Sequence, residues 1–310
     1  MIMDIFSQLE NKLHEHDAQC RMISAKHIPE IKEEIDRLYN DSLIDKELYQ
    51  NEINNYFDYS ISDKNPSIQS LIIIATPSPL IIVKFNINGS YFKSVIPPMY
   101  SDKKIVNQQV RNITDQLLEP DGYSTYPVIL PKKLIAVRSG LAKYGKNNIC
   151  YVQGMGSYHR LTLFASDLPS TQDFWQDMKM LDRCNRCKAC INNCPTRSIN
   201  QDRFIINAET CLTHFNEHVG PFPDWIDESW HNTIIGCMRC QSICPENIND
   251  VTIPEREIEF TESETELILD NVSFNELPES LYLKLCDLCL DRYYSQVSRN
   301  LKLILQKETN

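Results

Sequence analysis

The stretch CNRCKACINNCPT, residues 184–196, decides the reading of this sequence. Its cysteines follow C-x₂-C-x₂-C-x₃-C-P, a spacing by which thiolates hold [4Fe–4S] clusters. In such a run the fourth cysteine serves a different cluster from the first three. Cys184, Cys187 and Cys190 therefore need one more ligand, and Cys194 needs three partners. A second group, GCMRCQSICPEN, supplies Cys237, Cys240 and Cys244 at C-x₂-C-x₃-C-P spacing. Between the groups stands a single cysteine, Cys211 in NAETCLTHFNE. Crossover logic then assigns Cys184, Cys187, Cys190 and Cys244 to cluster one. Cluster two takes Cys194, Cys211, Cys237 and Cys240. Thiolates suit the task because soft sulfur matches iron and delocalises the electron. Two zinc sites, or one intact cluster with Cys211 merely buried, are the competing readings.

Composition supports redox chemistry. Twelve cysteines in a chain without a recognisable leader point to metal or redox use rather than disulfides. No apolar run approaches the roughly 18 residues of a membrane span. No signal peptide or twin-arginine leader is read, so the expected location is cytoplasmic, away from any membrane. The remaining cysteines read more blandly. Cys286 and Cys289 share a helix face, while Cys20 and Cys150 read as buried. The net charge of −11 opposes broad nucleic-acid binding. Residues 246–270 carry nine acids and one arginine and read as a solvated linker or a docking patch for a basic partner.

Residues 1–55 read as helical, with Ile2, Ile5, Leu9 and Leu13, then Ile28, Ile31, Ile35 and Leu38, at near-helical spacing. SLIIIATP (70–77) and LIIVKFNI (80–87) read as buried strands, with SYFKSVIPP as a candidate third. Residues 102–118 predict a helix, and PKKLIAVRSGLAKY (131–144) another with proline at its start. ICYVQGMGSYHRLTLFA (149–165) reads as a hairpin, and 274–308 as helical with a stripe of Leu281, Leu285, Leu288 and Leu301. The fold class is α+β. The expected divisions are a helical segment at 1–60, an α+β domain at 61–172, a double-cluster ferredoxin-like domain at 173–250, and an acidic linker with C-terminal helices at 251–310.

The cysteine groups resemble the double-cluster module of the epoxyqueuosine reductases, which are related to reductive dehalogenases. RSGLAKYGKNNICYVQGMGSYHRLTLFASDLP and the late SRNL resemble that family too. The resemblance spans about residues 65–305. It implies a cobalamin reduced through the clusters to a nucleophilic Co(I) state, while a side chain donates a proton. By position it implies Arg138, Gly140, Leu141, Lys146, Asn147, Gly156, Ser157 and His159 near the corrinoid. Each has a structural alternative: a helix cap for Gly140, a turn for Gly156, a satisfied polar residue for His159. Where the family carries its proton-donating aspartate, this sequence has Tyr126, a side chain able to act as general acid. The family's C-terminal repeats are missing from this sequence, which reads as a divergent paralogue. The expected reaction is reduction through two clusters and a corrinoid. The expected donor is a low-potential ferredoxin or flavodoxin. The expected substrate is a small molecule or a corrinoid protein, with tRNA possible but disfavoured by charge. The alternatives are epoxyqueuosine reduction on tRNA, and an electron carrier or corrinoid-protein activator with no substrate site of its own.

Overall fold

The computed structural model describes residues 4–100, 103–248 and 255–308. Ile2 and part of the acidic 246–270 stretch lie outside them. Nine strands are present among the described residues: β1 (Gln19–Ser24), β2 (Ser70–Pro77), β3 (Leu80–Ile87), β4 (Ser90–Ile96), β5 (Thr125–Pro127), β6 (Ala142–Tyr144), β7 (Cys150–Val152), β8 (His159–Ser166) and β9 (Glu255–Phe260). Helices accompany them throughout, and the α+β class read from the sequence is what the structure shows. The chain forms two compact units that interleave along the sequence. The first comprises Met1–Pro77, Lys104–Cys187 and Gln201–Asn207; the second comprises Ser78–Lys103, Lys188–Asn200 and Ala208–Asn310.

The first unit is built on an antiparallel sheet in the order β1-β2-β8-β5. Residues 71–75 of β2 are apolar without interruption because both faces of the strand are covered there. Its alternation sends Leu71, Ile73 and Ala75 into one core with Leu163 and Ala165. Ile72 and Ile74 enter a second core with Cys20, Met22 and Phe164. The helices Ile28–Asn40 and Lys132–Arg138 supply Ile28, Ile31, Leu134 and Ile135 to the first core. Phe6, Leu9 and Leu13 of the helix Ile5–His14, with Val110 and Leu118 of Lys103–Leu118, fill the second. Cys20 and Cys150 are buried as expected.

Three local expectations differ from the structure. The segment read as wholly helical contains β1, whose Cys20 and Met22 alternate into the core. The helix expected over 131–144 stops at Arg138, and residues 142–144 form β6. Gly140 ends it at φ +74°, donating its N–H to the Val137 carbonyl. A left-handed residue just past the last turn is the usual stop, and glycine adopts it without a Cβ clash. Finally, β7 and β8 are not hairpin partners. β7 pairs with β6, while β8 pairs with β2 and β5; Val152 and Gly156 make only an isolated bridge.

The second unit has a three-stranded sheet, β4-β3-β9. β3 and β4 form a hairpin through Asn88 and Gly89, both at positive φ, a turn suited to strand twist. β9 joins β3 in parallel register, Leu80 opposite Glu255 through Phe85 opposite Phe260. Within the acidic stretch read as a linker, Glu255–Phe260 is therefore a strand. Its acids Glu255, Glu257 and Glu259 occupy the exposed positions of EREIEF while Phe260 stacks on Phe85 at 4.8 Å. A capping box of Thr261 and Glu264 then starts the helix Glu262–Leu269. The predicted stripe of Leu281, Leu285, Leu288 and Leu301 is fully buried in this unit's core with Ile81, Val83 and Phe85.

Candidate redox centre

Of the eight cysteines assigned to clusters, Cys184 and Cys187 belong to the first unit and the other six to the second. Cys184 lies in the 3₁₀ turn Asp182–Asn185, its N–H bonded to the Leu181 carbonyl. In the second unit two short helices pack on each other. Ala189–Asn193 carries Cys190 and is followed by Cys194-Pro195; Arg239–Ser242 carries Cys240 and is followed by Ile243 and Cys244-Pro245. The Asn193 amide donates to the Arg239 carbonyl at 2.6 Å and ties the two together. The C-x₂-C…C-P pattern thus appears twice, each copy on one short helix.

Three of the four cysteines assigned to the second cluster, Cys194, Cys211 and Cys237, lie near one another. Burial pushes the Cys237 thiol up to about 12, and the nearby Cys211 and Cys194 add to the shift. Burial also raises Cys211, with Cys194 adding again. The Cys211 and Cys237 thiols therefore favour their neutral form in the bare protein. Iron reverses that preference, because a coordinating thiol is deprotonated outright. The donor set therefore fits an iron–sulfur cluster.

The loops that carry these cysteines are held by groups that motif reading overlooked. Asn216 and Thr233 both donate to the Gly236 carbonyl, at 2.6 and 2.9 Å, just before Cys237. Gly236 sits at φ +66°, and a Cβ there would lie 2.6 Å from the Tyr100 hydroxyl. Only glycine permits that approach. Tyr100 is buried and donates to the Glu217 carboxylate; burial, then the Glu217 charge, push its phenol well above the ordinary range. The SRNL motif acts here as a brace. Arg299 donates to the carbonyls of Phe215 at 2.8 Å and His218 at 3.0 Å, closing the helix Leu212–Glu217 that follows Cys211. Its guanidinium also lies over Phe222 at 4.0 Å. Asn300 donates to Asn216 and Ile234, both at 3.0 Å.

The residues expected near a corrinoid all lie in the first unit. Leu141 is buried in its core. Arg138 is engaged inside the protein: it meets the buried Glu34 at 2.6 and 3.0 Å, donates to the Gln176 carbonyl, and lies over Trp175 at 5.1 Å. Asn147 donates to the Tyr151 hydroxyl at 2.9 Å and accepts from the Ile149 N–H. His159 is buried between the Gly156 carbonyl, 3.0 Å from Nδ1, and Cys150 Sγ, 3.6 Å from Nε2. With Nδ1–H donating, Nε2 is left to accept from the thiol. Ser157 is buried and Lys146 half-buried. Tyr126 lies on β5 opposite Ala165 and packs against the core. The polar heads of Arg138, Asn147 and His159 are thus bonded within the protein.

Comparison with known proteins finds these features elsewhere. Residues 183–247 match the model of the 4Fe-4S double cluster binding domain, and that span holds all eight assigned cysteines. The chain is 32% identical over 125 residues to an epoxyqueuosine reductase of Lactococcus garvieae, covering 40% of this chain and 34% of that protein. Part of the chain is thus similar to epoxyqueuosine reductases. A solved epoxyqueuosine reductase structure from Streptococcus thermophilus superposes with TM-score 0.69 at 18% identity, covering 98% of this chain and 81% of the other. A structure of epoxyqueuosine reductase with a tRNA stem loop gives TM-score 0.64 at 17% identity, covering 97% and 82%. These two matches show a shared fold. In sequence, the aligned regions span about a third to a half of the curated relatives' length. Among the described residues no helix is long and apolar enough to cross a membrane.

Proposed function

We propose that this chain is an iron–sulfur oxidoreductase that moves electrons through two [4Fe–4S] clusters for a reductive reaction. The double-cluster match over residues 183–247 carries the reading, supported by the two short cysteine-bearing helices tied together through Asn193. Cys184, Cys187, Cys190 and Cys244 would hold the first cluster; Cys194, Cys211, Cys237 and Cys240 the second. When bound, the clusters supply one-electron chemistry at potentials set by hydrogen bonds and exposure at the sulfurs. The chain's own part is to enclose the thiols and fix the loops before Cys237 and after Cys211. A low-potential ferredoxin or flavodoxin is the expected donor, and a small molecule or corrinoid protein the expected substrate.

A finer reading adds bound cobalamin as electron acceptor, with Arg138, Gly140, Leu141, Lys146, Asn147, Gly156, Ser157 and His159 near it and Tyr126 as proton donor. It rests on the family resemblance of the segment from Arg138 to Pro169. No step is derived through it. Epoxyqueuosine reduction on tRNA has equal support from the relatives' names, while the net charge of −11 stands against it. The deciding experiment is anaerobic reconstitution with iron and sulfide, then titration with hydroxocobalamin and gel filtration. About eight irons per chain are expected, from two four-iron clusters. Retained cobalt would support the corrinoid reading; its absence would direct the search to a partner protein. A protein that takes up zinc and no iron would overturn the proposal.

A further inference from the structure

Beyond its ligands, the second cluster's site contains a chain of hydroxyls. Cys194 Sγ lies 3.5 Å from Thr196 Oγ1. Thr196 Oγ1 lies 2.6 Å from Ser198 Oγ, which lies 3.0 Å from Thr210 Oγ1. Ser198 is fully buried, and Thr210 directly precedes Cys211. The chain therefore links the segment of one assigned ligand to that of another, within the second unit.

The chemistry of the two ends fixes the direction of every bond. A hydroxyl has one proton to donate and lone pairs that accept. A cluster-bound thiolate only accepts. Thr196 must therefore donate to Cys194, leaving its oxygen to accept from Ser198. Ser198 has then used its proton, so its oxygen accepts from Thr210. All three protons point toward the sulfur, and each bond polarises the next. Away from water such a chain favours negative charge at its accepting end.

We propose that Thr196, Ser198 and Thr210 form a hydroxyl relay that stabilises the reduced second cluster through Cys194 Sγ and raises its reduction potential. They are positioning residues, and the inference rests on the two-cluster reading above. Reduction adds one electron to the iron–sulfur core, supplied in the test by dithionite. No bond is broken and no proton leaves its oxygen; the relay only strengthens as charge grows on the sulfur. Hydroxyls that merely fill the Cys194–Arg197 turn would leave the potential where it was.

The test is a potentiometric titration of the iron-loaded protein followed by EPR, with iron per chain measured first. Thr196→Val is expected to shift the reduction equilibrium of one cluster about tenfold toward the oxidised form, about 59 mV for one electron. The other cluster's midpoint stays put. Thr196→Ser, which keeps the hydroxyl, restores the wild-type value, and Ser198→Ala gives a smaller shift of the same sign. Full iron content in Thr196→Val with both midpoints unchanged would overturn the relay. Should Thr196→Val lose iron, Ser198→Ala decides in its place, an unchanged midpoint again overturning it. A wild type that holds no iron would overturn the cluster reading and the relay together, and the iron measurement separates that failure from the relay's own.

Discussion

His159 shows how one residue's chemistry is decided by its surroundings. Burial pushes its pKa down to about 4, with the Gly156 carbonyl opposing the shift. The folded protein therefore keeps it neutral where the unfolded chain, near the ordinary 6.5, takes a proton. Above about pH 6.5 neither state is protonated and nothing is lost. As pH falls from there toward 4 only the unfolded state gains the proton, so stability drops, by an amount on the order of 3 kcal/mol once the folded pKa is reached. Denaturant unfolding at pH 7 and pH 5 should show part of this loss in the wild type and a flatter dependence in His159→Gln. Equal slopes would show that His159 does not contribute. Reading His159 as a satisfied polar residue on a strand required only its sequence context. Arg138 did not yield to the same reasoning. Its partner Glu34 stands 104 positions away in sequence, so no local pattern could show the pair.

Elements were legible where their periodicity was local and closed. The leucine stripe of 281–301 and the run SLIIIATP are buried as their patterns require. EREIEF carried a true period of two, but its acids outweighed it in composition, and only pairing with β3 made the strand visible. The C-terminal helix Tyr294–Glu308 is the clearest case of an element whose role exceeds its own stability. Through Asn300 it satisfies two buried carbonyls, those of Asn216 and Ile234, on the segments next to Cys211 and Cys237. Leaving a buried carbonyl unpaired costs about 1–3 kcal/mol each. Asn300→Ala should therefore loosen one cluster and spare the other, so that iron per chain falls toward half after a chelator challenge. Retention of all iron would restrict the helix to ordinary packing.

At the scale of the whole molecule, two units interleave along one chain, and β3 and β4 belong with β9 rather than with the strands that precede them. The divisions expected from composition, at 60, 172 and 250, follow sequence order, whereas the units follow pairing. The second unit encloses six of the assigned cysteines. Binding free energy at such a site is also folding free energy. Iron removal by a reducing chelator should raise hydrogen exchange across 188–200 and 208–248. The sheet of β1, β2 and β8 has its own two cores and should stay protected. Uniform protection after iron loss would mean that the clusters carry electrons without supporting the fold.

The sequence by itself determined the cysteine arithmetic, the α+β class and the identity of the apolar faces, because spacing and periodicity are local properties that survive without coordinates. It also carried the likeness to epoxyqueuosine reductases, since ligand spacing constrains sequence as tightly as it constrains geometry. Tertiary structure alone decided which buried polar groups meet. Arg138 with Glu34, His159 with Cys150, Asn300 with Ile234, and Thr196 with Ser198 and Thr210 are each set by the need to satisfy polar atoms removed from water. Where such pairs join distant segments, no window along the chain contains both partners, and only the fold brings them together.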